Sequence, residues 1–249
     1  VSTVARPGKK GWYGVDLHHH SDQLDGKTPP ELLVRSQLAA GLDSLFLSDH
    51  DTTVNHVQVW KLAEKRGMPF IPAIEISPSW GHFNAYPLQL GLPWTVDTSK
   101  ADVHTLFTAA REMGAEVIGV NHPFIKYGYF ENLENNSTAG GFDPGFDLIE
   151  LNGDVDFEKA LHKAWSMWNQ GWKTYLQAGT DAHDVMLEKE ISGSMRTMVL
   201  VPGEVTVANL VAAVKAGHSY ATTGPFVYPL DMSFGESVMA QPGDTVHMP

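Results

Sequence analysis

The chain contains no cysteine and no apolar run long enough to span a membrane. The lack of cysteine excludes a disulfide framework, a zinc ribbon and a thiol nucleophile. It does not indicate a compartment, so cytoplasmic, periplasmic and secreted locations all fit the composition. No secretory signal segment is recognisable. We therefore expect a soluble protein that does not associate with a membrane.

Basic residues are also scarce. Lys and Arg total 17 against 29 Asp and Glu, which gives a formal net charge of −12. No basic stripe with interleaved aromatic side chains occurs, so we expect no nucleic-acid partner. Bound divalent cations would still make a local pocket far more positive than this sum suggests. A small-molecule ester is therefore compatible with the acidic chain, and the sequence does not indicate an oligomeric state.

The length of 249 residues suits one large core, and α/β barrels of this size are often single domains. We predict one domain over residues 11–224. Residues 1–10 are polar and basic and are predicted to be a leader or linker. Residues 225–249 are predicted to be a C-terminal extension that could begin a further β-rich segment.

The most informative stretch reads VDLHHHSDQLDG, in which a short apolar run is followed by three histidines. Alternate side chains of a strand share a face, so His18 and His20 should point one way and His19 the other. Asp25, beyond a short turn, adds a carboxylate oxygen nearby. Such donors suit zinc, manganese or iron. The alternative, a polar strand end or a tag remnant, predicts no matching residues later in the chain.

Later segments do repeat the pattern, because potential ligands stand at or just after the carboxyl ends of apolar runs. A single such residue would more often cap a strand or stabilise a turn. Their shared position predicts that they meet in one metal site. The candidate ligands are His18, His20, Asp25, His50, Glu75, His82, His122, Asp181 and His183.

Strand and helix patterns alternate some six or seven times, which predicts a mostly parallel sheet with right-handed crossovers. Ligands from early and late strands can converge on one point only if the strands surround an axis. We therefore predict an α/β fold, a distorted TIM-like barrel of about seven parallel strands with the site at its C-terminal mouth. Thr28 to Glu31 is predicted to form a helix capping box, and Val103, Leu106 and Phe107 to form a buried helical stripe.

Two further expectations concern loops and histidines outside the motifs. The run from Phe124 to Phe146 is long for a connection, which is typical of a lid or binding loop, with disorder as the alternative. His56, His104 and His162 lie in or beside predicted helices, where a solvated or capping role is the default.

The ordered motifs resemble those of the PHP (polymerase and histidinol phosphatase) family of metallohydrolases. The resemblance rests on the paired histidines with Asp25, then SDHD, AIEIS, GHFN, NHP and GTDAH, and it extends from Gly11 to Gly224. The flanking GWY and GHSYATTGP resemble the branch that contains carbamate hydrolases of the CehA/McbA type. In that branch the catalytic module often lies beside other domains.

This resemblance implies two or three divalent ions, either zinc, manganese or iron. His18, His20, Glu75 and Asp181 would hold the first ion, and Glu75 would bridge to a second ion held by His82 and His122. Asp25, His50 and His183 would hold the third. A bridging carboxylate is what closely spaced cations need in order to be tolerated.

The implied chemistry is hydrolysis by a water that bridges two ions and loses a proton near neutral pH. Glu75 and Asp181 are thus candidate catalytic residues as well as ligands. His183 or Asp49 would stabilise or protonate the departing oxygen. Arg196 and Lys126 are candidate cationic partners of a phosphate group.

Several functions remain open at this stage. Phosphomonoester or phosphodiester hydrolysis is our first prediction, and carbamate or carboxylic ester hydrolysis at the same site is the alternative. A noncatalytic metal-binding module is a third, although no ligand is missing. The amidohydrolases also begin with two histidines on a barrel strand, but that family requires a bridging lysine or glutamate midway and a single aspartate near the end. This chain instead has Asp49 and His50 early and Asp181 and His183 late.

Overall fold

The computed structural model describes residues 7–152, 157–187, 190–229, 234–237, 239 and 241 of the 249-residue chain. Strands and helices alternate, as the periodicity predicted. The helices are α1 (Pro30–Ala39), α2 (His56–Glu64), α3 (Val103–Glu112), α4 (Tyr129–Glu134), α5 (Phe157–Asn169) and α6 (Val207–Lys215). The strands are β1 (Trp12–Val15), β2 (Leu45–Leu47), β3 (Phe70–Pro72), β4 (Ile74–Ile76), β5 (Phe83–Tyr86), β6 (Val117–Val120), β7 (Leu148–Glu150), β8 (Tyr175–Gln177), β9 (Arg196–Leu200) and β10 (Ser219–Thr222).

The described strands form sheets of mixed orientation. The largest has the order β4-β5-β6-β7-β8, a second pairs β2 with β3, and a third has the order β1-β9-β10. Strands β6, β7 and β8 are parallel, but β5 is antiparallel to both β4 and β6. An all-parallel arrangement is therefore not what the structure has. Residues 77–82 are too few for the crossover that a parallel β4-β5 pair would require.

Hydrogen bonds join the carboxyl ends of strands from different sheets. The Ser48 N–H donates to the carbonyl of His19 at 2.9 Å, which links the segment after β1 to the end of β2. Isolated parallel bridges connect His19 with Ala182 and His50 with Glu75. The segments that follow β1, β2 and β8 therefore meet at the same end of the molecule as β4.

The apolar core lies between the sheets and the helices. In α3, Val103, Leu106, Phe107 and Ala110 are buried, which confirms the predicted helical stripe. Residues at this spacing face one side of a helix and can all pack inward.

Aromatic packing orders the long segment between β6 and β7. Tyr129 and Phe130 of α4 and Phe146 are buried in the core, and the Tyr129 ring packs edge-on against Phe83 with centroids 5.0 Å apart. The structure thus places a short helix and buried rings where disorder was the alternative.

The predicted capping box at the start of α1 is wrong. Pro29 is the N-cap residue and no side chain caps the helix, although a proline occupies its first turn as expected. The Thr28 hydroxyl instead donates to the carbonyl of His183 at 3.1 Å and accepts from the Val185 N–H at 3.2 Å. The tertiary contact with the 183–185 loop replaces the local cap.

The predicted terminal segments are only partly described. Residues 1–6 of the predicted leader lie outside the described residues, as do most positions of the predicted extension over 225–249. The predicted domain boundaries therefore stay predictions. Within the described part of the chain, none of the helices has both the length and the hydropathy needed to cross a bilayer.

Candidate metal centre

The strand ends bring imidazole and carboxylate groups together in three overlapping groups. In each group, one donor atom from every residue lies within 4.8 Å of the others. The groups are His18, His20, Glu75 and Asp181; His50, Glu75 and His82; and His20, His50 and His183.

The first group connects the segment after β1 with the end of β8. Asp181 Oδ1 lies 3.0 Å from His18 Nε2 and 3.0 Å from His20 Nε2. His18 and His20 therefore share a face, as predicted. His19 points away, and its Nε2 lies 2.8 Å from the Ser192 hydroxyl.

Glu75 stands at the centre of the cluster and is fully buried. Its Oε1 lies 3.2 Å from His18 Nε2, 3.3 Å from His82 Nδ1 and 3.2 Å from His122 Nε2. Its Oε2 lies 2.8 Å from His50 Nδ1. Both carboxylate oxygens are thus surrounded by imidazoles, which is the arrangement expected of a bridging ligand.

The third group lies at the edge of the cluster. His183 and His20 stack with ring centroids 4.0 Å apart. Asp25 Oδ1 lies 3.6 Å from His50 Nε2 and 3.5 Å from His183 Nε2, and the Asp25 side chain is 67% exposed. The family pattern grouped Asp25, His50 and His183, and the structure adds His20 to them.

Two of these residues have unusual backbone conformations. His122 has φ of 22° and Asp181 has φ of 54°, values that residues with side chains rarely adopt. The Asp181 N–H donates to the carbonyl of His18 at 2.9 Å, and the His122 N–H donates to the Glu150 carboxylate at 2.8 Å. Such strain persists where surrounding contacts hold it, and it is common at functional sites.

The cluster strongly shifts the acid–base equilibria of its members. Burial raises the pKa of the Glu75 carboxyl, but the imidazoles of His18, His82 and His50 outweigh it and hold that pKa well below its usual range. Burial lowers the pKa of His20, yet hydrogen bonds to Asp181 and Glu75 raise it to about 9. The buried carboxylates therefore need positive charge beside them, carried either by protonated imidazoles or by bound cations.

Several donor atoms fit the metal ions that the family resemblance implies. His18 Nε2, Glu75 Oε2 and His82 Nδ1 are buried, and although other donor atoms of the cluster approach them closely, none of these contacts within the described residues has hydrogen-bond geometry. Buried polar atoms are normally satisfied. Imidazole nitrogens and carboxylate oxygens that share one space are the usual ligands of zinc, manganese and iron. The residues present therefore fit a centre of divalent ions.

Asp49 takes a different place from the one expected. Its two carboxylate oxygens accept from the Ser21 N–H at 2.7 Å and from the Ser21 hydroxyl at 2.5 Å. The side chain is buried. Asp49 thus anchors the segment that follows the three histidines.

The structure does not bring Arg196 to the cluster. Its guanidinium donates to the carbonyls of Gly193 at 2.7 Å and Ala40 at 3.2 Å. It lines a separate pocket with Gly14 and Asp43. Because β9 runs antiparallel beside β1, Arg196 covers the backbone at Gly14 instead of facing the metal ligands.

Lys126 contacts an aromatic ring. Its ammonium lies 5.7 Å from the centroid of the Tyr127 ring. The Tyr127 ring in turn stacks on His82 with centroids 5.6 Å apart and an interplanar angle of 10°. Tyr127 is 45% exposed, so the loop after β6 places an aromatic ring at the rim of the centre.

Glu150 contacts the cluster although it is not among the residues predicted for the site. This fully buried residue has Oε1 at 2.8 Å from His18 Nδ1. It ends the apolar run of β7, just as Glu75 lies within the apolar run of β4. The same rule of carboxylates at strand ends could have identified it.

Comparisons with known proteins agree with this chemistry. No family model matches the chain. A 3′,5′-nucleoside bisphosphate phosphatase of Chromobacterium violaceum is 31% identical over 107 residues, which are 41% of this chain and 38% of that protein. A 5′-3′ exoribonuclease of Haemophilus influenzae is 38% identical over 65 residues, 26% of this chain and 24% of that protein. The chain thus matches less than half the length of these relatives.

Solved structures also resemble most of the chain. A two-domain protein of Bacteroides vulgatus, described as containing a predicted PHP-like metal-dependent phosphoesterase, superposes with a TM-score of 0.61 at 21% identity. The superposition covers 85% of this chain and 64% of that protein. The chain therefore has the mixed α/β fold of a PHP-like protein. The resemblance to the carbamate-hydrolase branch stays a prediction.

Proposed function

We propose that the protein is a metal-dependent phosphoesterase that hydrolyses phosphomonoesters or phosphodiesters of small molecules. The observation that carries this proposal is the ring of imidazoles around the buried carboxylate of Glu75. The relatives support the choice of phosphoesters, since they are named as a phosphatase and an exoribonuclease, and both kinds of enzyme hydrolyse phosphoester bonds.

The three groups of donors indicate two or three divalent ions. His18, His20, Glu75 and Asp181 would hold one ion, and Glu75 would extend to a second near His50, His82 and His122. His183, His50 and Asp25 would hold a third at the edge. Bound there, divalent ions lower the pKa of water and neutralise the charge of a phosphoester. Their identity as zinc, manganese or iron is part of the proposal.

The protein's own residues orient this centre. Asp49 fixes Ser21 directly after the paired histidines. The His183 Nδ1–H donates to the Asp181 carbonyl at 2.8 Å, which directs Nε2 toward the cluster edge. Burial and the neighbouring His20 lower the pKa of His183, so its imidazole is neutral near pH 7 and can bind a cation.

We also infer that the strands close into a distorted barrel. The bonds that join residue 19 to residues 48 and 182 support this closure, because they connect the first strand to its neighbours on both sides. The metal centre would then lie at the mouth formed by the strand ends.

An assay with three substrates tests the function. We would load the protein with zinc or manganese and measure turnover of p-nitrophenyl phosphate, its bis-ester and an aryl carbamate. We expect hydrolysis of at least one phosphoester. His20→Ala should abolish it, whereas His162→Ala, which removes an exposed imidazole on α5, should not. Turnover of the carbamate alone would contradict the proposal.

A further inference from the structure

Glu150 contacts two proposed ligands without belonging to any group of converging donors. Its Oε1 faces the ring Nδ1 of His18 at 2.8 Å, and its Oε2 accepts the backbone N–H of His122 at 2.8 Å. We propose that Glu150 is a positioning residue that fixes the proton of the His18 ring and the backbone of His122. This inference rests on the metal centre of the proposed function.

The contact with His18 determines which ring nitrogen faces the cluster. A neutral imidazole carries a proton on only one nitrogen, and a carboxylate at Nδ1 keeps that proton on Nδ1. Nε2 is then left with a lone pair. This atom lies 3.0 Å from Asp181 Oδ1 and 3.2 Å from Glu75 Oε1. The three atoms could therefore bind one cation together.

The contact with His122 holds a strained part of the chain. The φ of 22° at His122 is costly for a residue with a side chain. The bond from its N–H to Glu150 satisfies a buried donor and favours this conformation. The ring of His122 then reaches Glu75, with Nε2 at 3.2 Å from Oε1. One carboxylate thus orients two imidazoles that both face Oε1 of Glu75.

Glutamine at position 150 cannot make both contacts that the carboxylate makes. The carboxylate accepts from two donors, but an amide has one accepting oxygen and one donating nitrogen. If the amide oxygen faces His18, the amide nitrogen opposes the His122 N–H. If the amide is reversed, it donates to Nδ1, and the ring proton moves to Nε2, where it blocks the lone pair. Either orientation should weaken metal binding with little change in volume.

Asp147 supplies a matched control. It directly precedes β7, and its carboxylate accepts from the Arg111 guanidinium at 2.8 Å and from the Ile118 N–H at 2.9 Å. Like Glu150, it therefore accepts a side-chain and a backbone hydrogen bond, but neither donor belongs to the cluster. Asp147→Asn should lower stability without changing metal affinity.

The first measurement is zinc affinity of the metal-depleted proteins, by competition with a chromophoric chelator. We expect Glu150→Gln to bind about 10–100-fold more weakly than the wild type, the range typical for partners of metal ligands. Asp147→Asn should bind like the wild type. Wild-type affinity in a folded Glu150→Gln protein would overturn the proposal. If that variant does not fold, Glu150→Asp takes its place, since it keeps both acceptors but retracts them, and the same outcomes apply.

A second measurement distinguishes this proposal from the proposed function. In the metal-free protein, proton NMR should show a downfield ring N–H of His18 that moves upfield or is lost in Glu150→Gln and is unchanged in Asp147→Asn. That result supports positioning even if the wild type hydrolyses no phosphoester, in which case only the proposed function fails. An unchanged His18 signal in Glu150→Gln would overturn the positioning role.

Discussion

Glu75 shows how much compensation a buried carboxylate needs. Burying an isolated charge costs far more than a small domain can tolerate, so such groups are paired or bind metals. Here four imidazoles approach its oxygens to between 2.8 and 3.3 Å. Positive charge in the centre therefore offsets the free-energy cost of burying the Glu75 carboxylate.

Asp181 offers a direct test at the residue scale. Its Oδ1 approaches both His18 and His20 at 3.0 Å, so Asp181→Asn removes a charge that both imidazoles share. We expect fewer bound ions, measured by elemental analysis. We also expect kcat/KM to fall by more than the ~100-fold that loss of an outer partner can cost.

Asp97→Asn is a suitable control for Asp181→Asn, because it removes an exposed carboxylate that pairs with Lys100. Its metal content and activity should equal those of the wild type. Full activity of Asp181→Asn would show that Asp181 is not part of the catalytic centre.

His56 links stability to pH. It is buried, its Nε2–H donates to the Ala73 carbonyl at 2.8 Å, and burial lowers its pKa from 6.5 to about 4. The expected solvated or capping role for His56 is therefore wrong. Since the unfolded chain binds a proton below pH 6.5 and the folded chain does not, the free energy of unfolding falls as pH drops from 6.5 toward 4.

Replacing His56 by glutamine should remove this part of the pH dependence while keeping a donor for Ala73. Urea unfolding at pH 7 and pH 4.5 measures it. We expect the wild type to lose on the order of 2 kcal/mol more than His56→Gln between these values. Equal losses in both proteins would contradict the assignment.

At the element scale, α6 illustrates a helix whose limits come from local sequence. Thr206 is its N-cap residue, and the Thr206 hydroxyl accepts from the Asn209 N–H at 3.2 Å. Gly217, with φ of 75°, follows its end. Thr206→Ala should lower the free energy of unfolding by about 1 kcal/mol, and Thr206→Ser should keep most of it. Urea denaturation distinguishes them, and an unaffected Thr206→Ala protein would show that the cap contributes nothing.

Elements with strong periodicity could be predicted, and those set by tertiary pairing could not. The stripe of α3 and the end of α6 follow from spacing and from glycine, which are local features. The short connection over residues 77–82 makes β5 antiparallel to β4, but the pairing of β5 with β6 is set by the tertiary fold. The Thr28 hydroxyl likewise bonds to a loop 155 positions away, and no local pattern signals that choice.

For the candidate site, too, the residue types and their positions along the chain were predictable, and the contacts set by tertiary pairing were not. Chemistry at strand ends predicted nine candidate ligands, and the structure places them in or beside one cluster. The structure places Arg196 away from the cluster, because side-chain direction on β9 depends on its pairing with β1. Glu150 follows the same rule as Glu75, but its pairing with His18 and His122 is set by the tertiary fold and has no local signal.

For the whole molecule, metal removal is the strongest test. The proposed ligands come from segments after β1, β2, β6 and β8, from β4 and from the position before β5, so bound ions would link distant parts of the chain. Ions present at ~100 times their Kd stabilise the folded state by about 2.7 kcal/mol. In a protein of this size each kcal/mol shifts Tm by roughly 2–4 °C. We expect dialysis against a chelator to lower Tm by about 5–10 °C, measured by calorimetry.

Restoring zinc or manganese should recover both Tm and phosphoester hydrolysis, and sodium or potassium should not. A chelator-treated protein with unchanged Tm and activity would show that the cluster holds no ion of importance.

The contact between His20 and Asp181 also has a consequence for biosynthesis. His20 and Asp181 are 161 positions apart, and ribosomes add about 5–20 residues per second. The paired histidines therefore leave the ribosome on the order of 10 s before their carboxylate partner is made. During that interval the nascent chain exposes an incomplete set of donors. The complete set of donors is accordingly assembled late in the synthesis of this chain.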